Sequence, residues 1–152
     1  MGDRFLIGNG NPRYKLILVG DVGVGKTALF WRYSEGQFLT PNQTMVTTID
    51  FKMKCITINR EPINLYVWDT AGSEKYRSIV STYFKGCHGV LLVFDLSRYN
   101  SFKCREDSFN SIVEEWYPLA KSKTPQSEFL LVGNKIDLGA SVDRDQVSEW
   151  AK

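Results

Sequence analysis

The stretch GDVGVGKT, Gly20 to Thr27, has the spacing G-x-x-x-x-G-K-[ST] that lets a backbone wrap around an anion. Gly23 and Gly25 permit close approach. The successive amides of Asp21, Val22, Gly23, Val24, Gly25, Lys26, Thr27 and Ala28, at the opening of a helix, favour phosphate oxygens. Lys26 adds a point charge for the outer phosphates, and the Thr27 hydroxyl is a hard oxygen ligand suited to Mg2+. A second group, WDTAGSEKY at 68–76, ends an apolar run in Asp69, a carboxylate that can hold Mg2+ directly or through water. Gly72 follows it with an unhindered amide for a terminal phosphate. The third is GNKID, Gly133 to Asp137. The Asp137 carboxylate can accept from both the N1–H and the 2-amino group of guanine, where adenine offers no donor, and an unpaired carboxylate would reject the wrong base. Asn134 can bond the guanine face, and Lys135 can lay its stem along the nucleotide. Asp-Thr-Ala-Gly alone is a plain turn and Asn-Lys-x-Asp alone is a weak signal. Their position after strands, in this order, makes them one site for a guanine nucleotide and Mg2+.

The elements that must position these loops are legible as punctuated apolar runs. YKLILVG (14–20) is a buried strand, and KTALFWRYSEG from Lys26 is a helix closed by Gly36. FLTPNQTMVTT reads as a loop, and IDFKMKCITI alternates, turns at NREP and returns as NLYVWD, a hairpin. GVLLVFDL (89–96) and EFLLVGN (128–134) are continuous apolar runs of the kind covered on both faces. Between them SFKCREDSFNSIVEEWYPLAK has helical periodicity and is expected to break near Pro118, and VDRDQVSEWAK reads as a final helix. Alternating strands and helices specify an α/β fold, a doubly wound and mostly parallel sheet whose ligands sit beyond the carboxyl ends of the strands. Residues 1–13 read as a flexible lead and 14–152 as one domain.

The 152 residues, 43% hydrophobic and 24% charged, suit a single core. A net charge of +2 without a basic stripe gives no field for nucleic acid or an anionic membrane. Three cysteines, Cys55, Cys87 and Cys104, lack metal or disulfide spacing and point to a reducing compartment. No apolar run is long enough to span a bilayer, no signal-peptide layout opens the chain, and Leu6 breaks the myristoylation pattern. His88, the only histidine, lies in a helix-to-strand connection away from the motif loops and reads as structural. Glu114 and Glu115 read as a solvated helix face.

The three motifs in this order resemble the Ras-like small GTPases. Flanking residues narrow the resemblance to the Rab branch: IDFK at 49–52, WDTAGSEKY, YFKGCHGV at 83–90, LLVFDLS at 91–97, and Ser101-Phe102. The resemblance runs from Tyr14 onward and implies a P-loop GTPase domain that binds GTP and GDP with Mg2+. It also implies effector, exchange-factor and activating-protein partners, and a switching role in vesicle traffic. Lys26, Gly72 and Ser73 then stand at the catalytic positions. Phe38 becomes the aromatic against the guanine edge, and Phe51, Trp68 and Tyr83 become a surface triad read by effectors.

Three departures accompany the likeness. Ser73 stands where the family has a glutamine that orients the attacking water, so hydrolysis is expected to be slow. The loop after the first helix places Met45 or Val46 where the family has a Mg2+-binding threonine; Thr44 and Thr47 are the nearest hydroxyls, and Thr47 is favoured. As the sequence stands, the family's Ser-Ala-Lys loop, last strand, last helix and prenylated cysteines have no counterpart. The domain then reads as incomplete, with one strand edge unpaired and one sheet face bare unless a further segment, a partner or a second copy covers them. The expected location is cytoplasmic, peripheral on vesicle membranes where a full-length form is lipidated. Two other readings stay open: a non-cycling scaffold of the same fold that holds one nucleotide state or none, and an ATP-using P-loop enzyme, against which Asp137 argues.

Overall fold

The computed structural model describes residues 10–38, 50–70, 80, 82–97, 108–140 and 142–152. Its centre is a five-stranded sheet in the order β2-β3-β1-β4-β5. β1 (Arg13–Val19) lies between β3 (Glu61–Asp69) and β4 (Gly89–Asp95) and pairs parallel with both, and β5 (Glu128–Asn134) pairs parallel with β4. β2 (Asp50–Ile58) is the one antiparallel strand. Its hairpin with β3 turns through Asn59 and Arg60, both at positive φ (50° and 68°), the two-residue geometry whose twist suits paired strands. The sheet begins one residue before the boundary expected at Tyr14: Arg13 opposes Asn64, whose N–H donates to the Pro12 carbonyl at 2.8 Å.

Alternation along the strands builds a core on each face. Leu18, Val67 and Val93 meet Val24 and Phe30, brought by α1 (Lys26–Glu35) and the turn before it. On the other face Ile17, Val19, Leu92 and Phe94 meet Val80, Phe84, Phe109, Ile112 and Trp116. The adjacent parallel strands β1 and β3 are therefore followed by segments that cover opposite faces, so their carboxyl ends border a topological switch point. α1 closes at Gly36, whose φ of 72° suits glycine and whose N–H donates to the Arg32 carbonyl.

The break expected at Pro118 does not occur. A helical turn α2 (Ser108–Ser111) runs into a π-helical segment, Ile112–Trp116, and on into α3 (Tyr117–Lys123), with Pro118 in the first turn of α3. The Tyr117 N–H reaches back to the Ile112 carbonyl, so the widened turn just before Pro118 takes up the missing donor and the bulk of its ring. The final helix α4 (Arg144–Trp150) is capped by Asp143, whose side chain accepts from the Asp145 N–H. Among the described residues β5 pairs with β4 alone, and Leu130 on it is 60% exposed. No described helix is long and apolar enough to cross a membrane.

Candidate functional site

The described residues of the three motifs lie at the carboxyl edge of the sheet. The phosphate loop leaves β1 at Gly20 (φ 146°), where an added Cβ would lie 2.1 Å from the Val93 carbonyl oxygen. Only glycine fits there. Lys26 is buried, and its Nζ donates to the carbonyls of Gly20 and Asp21, both at 2.8 Å. The ammonium is thereby held inside the loop. At the end of β3, Asp69 is buried, and the Thr70 hydroxyl donates to the Leu18 carbonyl at 2.7 Å, tying β3 to β1 across the switch point.

The base loop is bound to the phosphate loop by side chains reaching main chain. Asn134 Nδ2 donates to the Val24 carbonyl at 2.9 Å, and Lys135 Nζ to the Gly23 carbonyl at 2.6 Å. Gly25, at φ 99°, leaves the room: a Cβ there would sit 2.2 Å from Asn134 Nδ2. Lys135 also pairs with Asp95 Oδ2 at 2.7 Å. Asp95 ends β4 opposite Asn134 in register and accepts from the Ser97 N–H and hydroxyl at 2.8 and 2.7 Å. Burial works to raise the Asp95 carboxyl, but the bonds from Lys135 and Ser97 and the Lys135 charge outweigh it, leaving the group below its ordinary range. Lys135 itself adopts φ 61°, and the short 3-10 turn Ile136–Leu138 after it carries Asp137 outward, exposed.

Thr27 and Asp69 supply a hydroxyl and a carboxylate, the hard oxygen donors Mg2+ takes when a nucleotide supplies most of the rest. The donor set fits. Among the described residues no cluster of three or more His, Cys, Asp or Glu side chains forms a dedicated metal cage.

Phe38 lies beyond α1, 67% exposed, with the Arg32 guanidinium 5.2 Å from its ring centroid. Phe51, Trp68 and Tyr83 do form one aromatic strip: Phe51 stacks on Trp68 at 4.7 Å, Trp68 meets Tyr83 at 5.6 Å, and Phe51 remains 48% exposed. His88 Nδ1 accepts from the Lys15 N–H at 3.0 Å, a structural role. Glu114 is exposed and Glu115 half-buried. Gly72, Ser73, Thr44, Thr47 and Cys104 lie outside the described residues.

Sequence reasoning missed Asp95, Ser97 and Trp116 as members of the site. Asp95 had a signal, a carboxylate closing a buried apolar strand as Asp69 does. Trp116, whose indole N–H donates to Asp21 Oδ1 at 2.8 Å, had none beyond helical spacing.

With this geometry, comparison with known proteins is decisive. The sequence model of the Ras family matches residues 15–152. The chain belongs to the Ras family. Within it, this Rab-like protein is 38% identical over 143 residues to Ras-related protein Rab-13 of Rattus norvegicus, covering 91% of this chain and 66% of that one. It is 38% identical over 136 residues to Ras-related protein Rab-30 of Homo sapiens, covering 90% and 62%, and over 138 residues to Ras-related protein Rab-8B of Homo sapiens, covering 90% and 60%. The Rab-like chain thus spans 60–66% of the length of these relatives. Its order of strands and loops is that of a Ras-family G domain.

Proposed function

We propose that this Rab-like protein binds GTP and GDP with Mg2+ and acts as a slowly hydrolysing molecular switch in vesicle traffic. The observation that carries the reading is the joining of the base loop to the phosphate loop, Asn134 to Val24 and Lys135 to Gly23. A pocket built this way grips base and polyphosphate as one ligand. Asp137 reads guanine, Lys26 and the loop amides hold the phosphates, and Thr27, Asp69 and Thr47 supply oxygens to Mg2+, which would neutralise phosphate charge when bound. Gly72 offers its amide to the terminal phosphate. Ser73 lacks the reach and the amide of glutamine, so the attacking water is poorly oriented and turnover is slow. The likeness to Rab proteins supports effector, exchange-factor and activating-protein partners, with the aromatic strip as the surface effectors meet, and a cytoplasmic location peripheral to vesicle membranes.

The deciding experiment is to denature the purified protein, identify released nucleotide by chromatography, then load GTP and follow its conversion in a single turnover. Guanine nucleotide should be released, and Ser73→Gln should hydrolyse at least about tenfold faster. Equal rates would refute the account of Ser73. A protein that carries no guanine nucleotide and cannot be loaded would favour the scaffold reading.

A further inference from the structure

Asp21 puts a carboxylate at the second position of a loop read as attracting polyphosphate, and a carboxylate free to swing into that cradle would repel the ligand. The structure holds it at both ends. Its side chain accepts from the Trp116 indole at 2.8 Å, a contact between residues 95 apart in sequence, and its main-chain carbonyl accepts from Lys26 Nζ at 2.8 Å. Trp116 is 2% exposed and packed in the cluster opposite α1, so its own position is fixed by the core. It closes the π-helical segment Ile112–Trp116, an irregularity of a type that recurs at functional sites.

We propose that Trp116 is a positioning residue for nucleotide binding that acts through Asp21. Its indole N–H clamps the carboxylate against the core helix, keeps that charge out of the anion cradle, and fixes the residue whose carbonyl orients the Lys26 ammonium. The inference rests on the guanine-nucleotide reading above. It assigns to the helix between β4 and β5 a part in phosphate binding that none of the three sequence motifs contains.

The test is a double-mutant cycle read by dissociation of a fluorescent GDP analogue. Trp116→Phe, which frees the carboxylate, should speed dissociation about tenfold, the loss expected for one hydrogen bond to a charged group, and Asp21→Ala should speed it by less, because the repelling charge goes with the clamp. Asp21→Asn, which keeps an acceptor for the indole, should speed dissociation less than Asp21→Ala does. In the Asp21→Ala background, Trp116→Phe should add less than about twofold. Equal effects of Trp116→Phe in both backgrounds, or an Asp21→Asn as fast as Asp21→Ala, would mean that Trp116 serves packing alone and would overturn the proposal. Should the parent take up no guanine nucleotide, the functional reading fails separately, and amide exchange in the ligand-free chain decides the positioning. Asp21→Ala should raise exchange across 20–27 about tenfold and leave β5 unchanged. Unchanged exchange across the loop would overturn it.

Discussion

Replacing Lys135 by methionine tests how the base loop is fastened. Methionine keeps a flexible unbranched stem and leaves the positive φ of that residue as it is, so the change removes the ammonium alone. Two contacts go with it, to Asp95 Oδ2 at 2.7 Å and to the Gly23 carbonyl at 2.6 Å. Losing a charge-assisted bond costs about 1.5–3 kcal/mol, and stranding a buried charge about 3–5 kcal/mol. The Asp95 side chain is only 1% exposed but keeps its two bonds from Ser97, which offset part of that cost. A loss of roughly 2–3 kcal/mol at pH 7 follows, or about 4–12 °C in Tm for a chain this size. The sign of the pH dependence is specific. In the parent the Asp95 carboxyl is held below its ordinary range, so its stabilisation is complete above the unfolded value of about 3.9 and fades as pH falls through the folded one. In the variant burial is opposed by Ser97 alone, the carboxyl rises, and acidification relieves the stranded charge. Urea unfolding at pH 7 and pH 4 should show the gap between the two proteins narrowing at the lower pH. A gap that is the same at both, or under about 1 kcal/mol at pH 7, would refute the assignment of Lys135 as the partner of Asp95.

Gly25→Ala should cost about 2–3 kcal/mol, from a left-handed φ of 99° and from displacing Asn134 from the Val24 carbonyl, seen as a lower urea midpoint. Gly23→Ala, at φ 82° with nothing within 4 Å of the new Cβ, should lose only about 1–2 kcal/mol. Burial pushes the Cys87 thiol up, and its S–H donates to the Gly89 carbonyl at 3.0 Å, whereas Cys55 is exposed on β2. Alkylation at pH 7.5 followed by peptide mass spectrometry should label Cys55 within minutes and Cys87 only on unfolding. Equal labelling of both would show that the β1–β4 end of the core opens.

The sheet was legible because its strands are short and strongly punctuated. β1 is an apolar run followed by Gly20, β4 and β5 are apolar runs ending in Asp95 and Asn134, and the β2–β3 hairpin announces itself by alternation around Asn59 and Arg60. Motif residues after those runs had to lie on one edge, and Lys26, Asp69, Asn134 and Lys135 do. Pro118 misled because a local rule for proline cannot register a π turn that accommodates it one residue earlier. Trp116 was invisible as a site residue because its partner, Asp21, is 95 residues away, and Asp95 offered only its place at a strand end, its partner Lys135 lying 40 residues on. Pairing at such separation is decided by packing, which composition and period do not encode.

The motif loops are joined by a rule that the motifs do not state. Among the described residues, three ties run from a side chain at one loop to a main-chain carbonyl at or beside another: Thr70 to Leu18, Asn134 to Val24, Lys135 to Gly23. Carbonyls survive any substitution of the residue that bears them, so the phosphate loop can vary at Val22 and Val24 without losing the connection, whereas the donors Thr70, Asn134 and Lys135 cannot be exchanged for apolar residues. On the proposed guanine-nucleotide reading, the asymmetry makes the base loop a support for the phosphate loop as well as a reader of the base. Disturbing Asn134 or Lys135 should then weaken the grip on phosphate as well as on guanine, because the carbonyls they hold belong to the turn proposed to offer its amides to the anion.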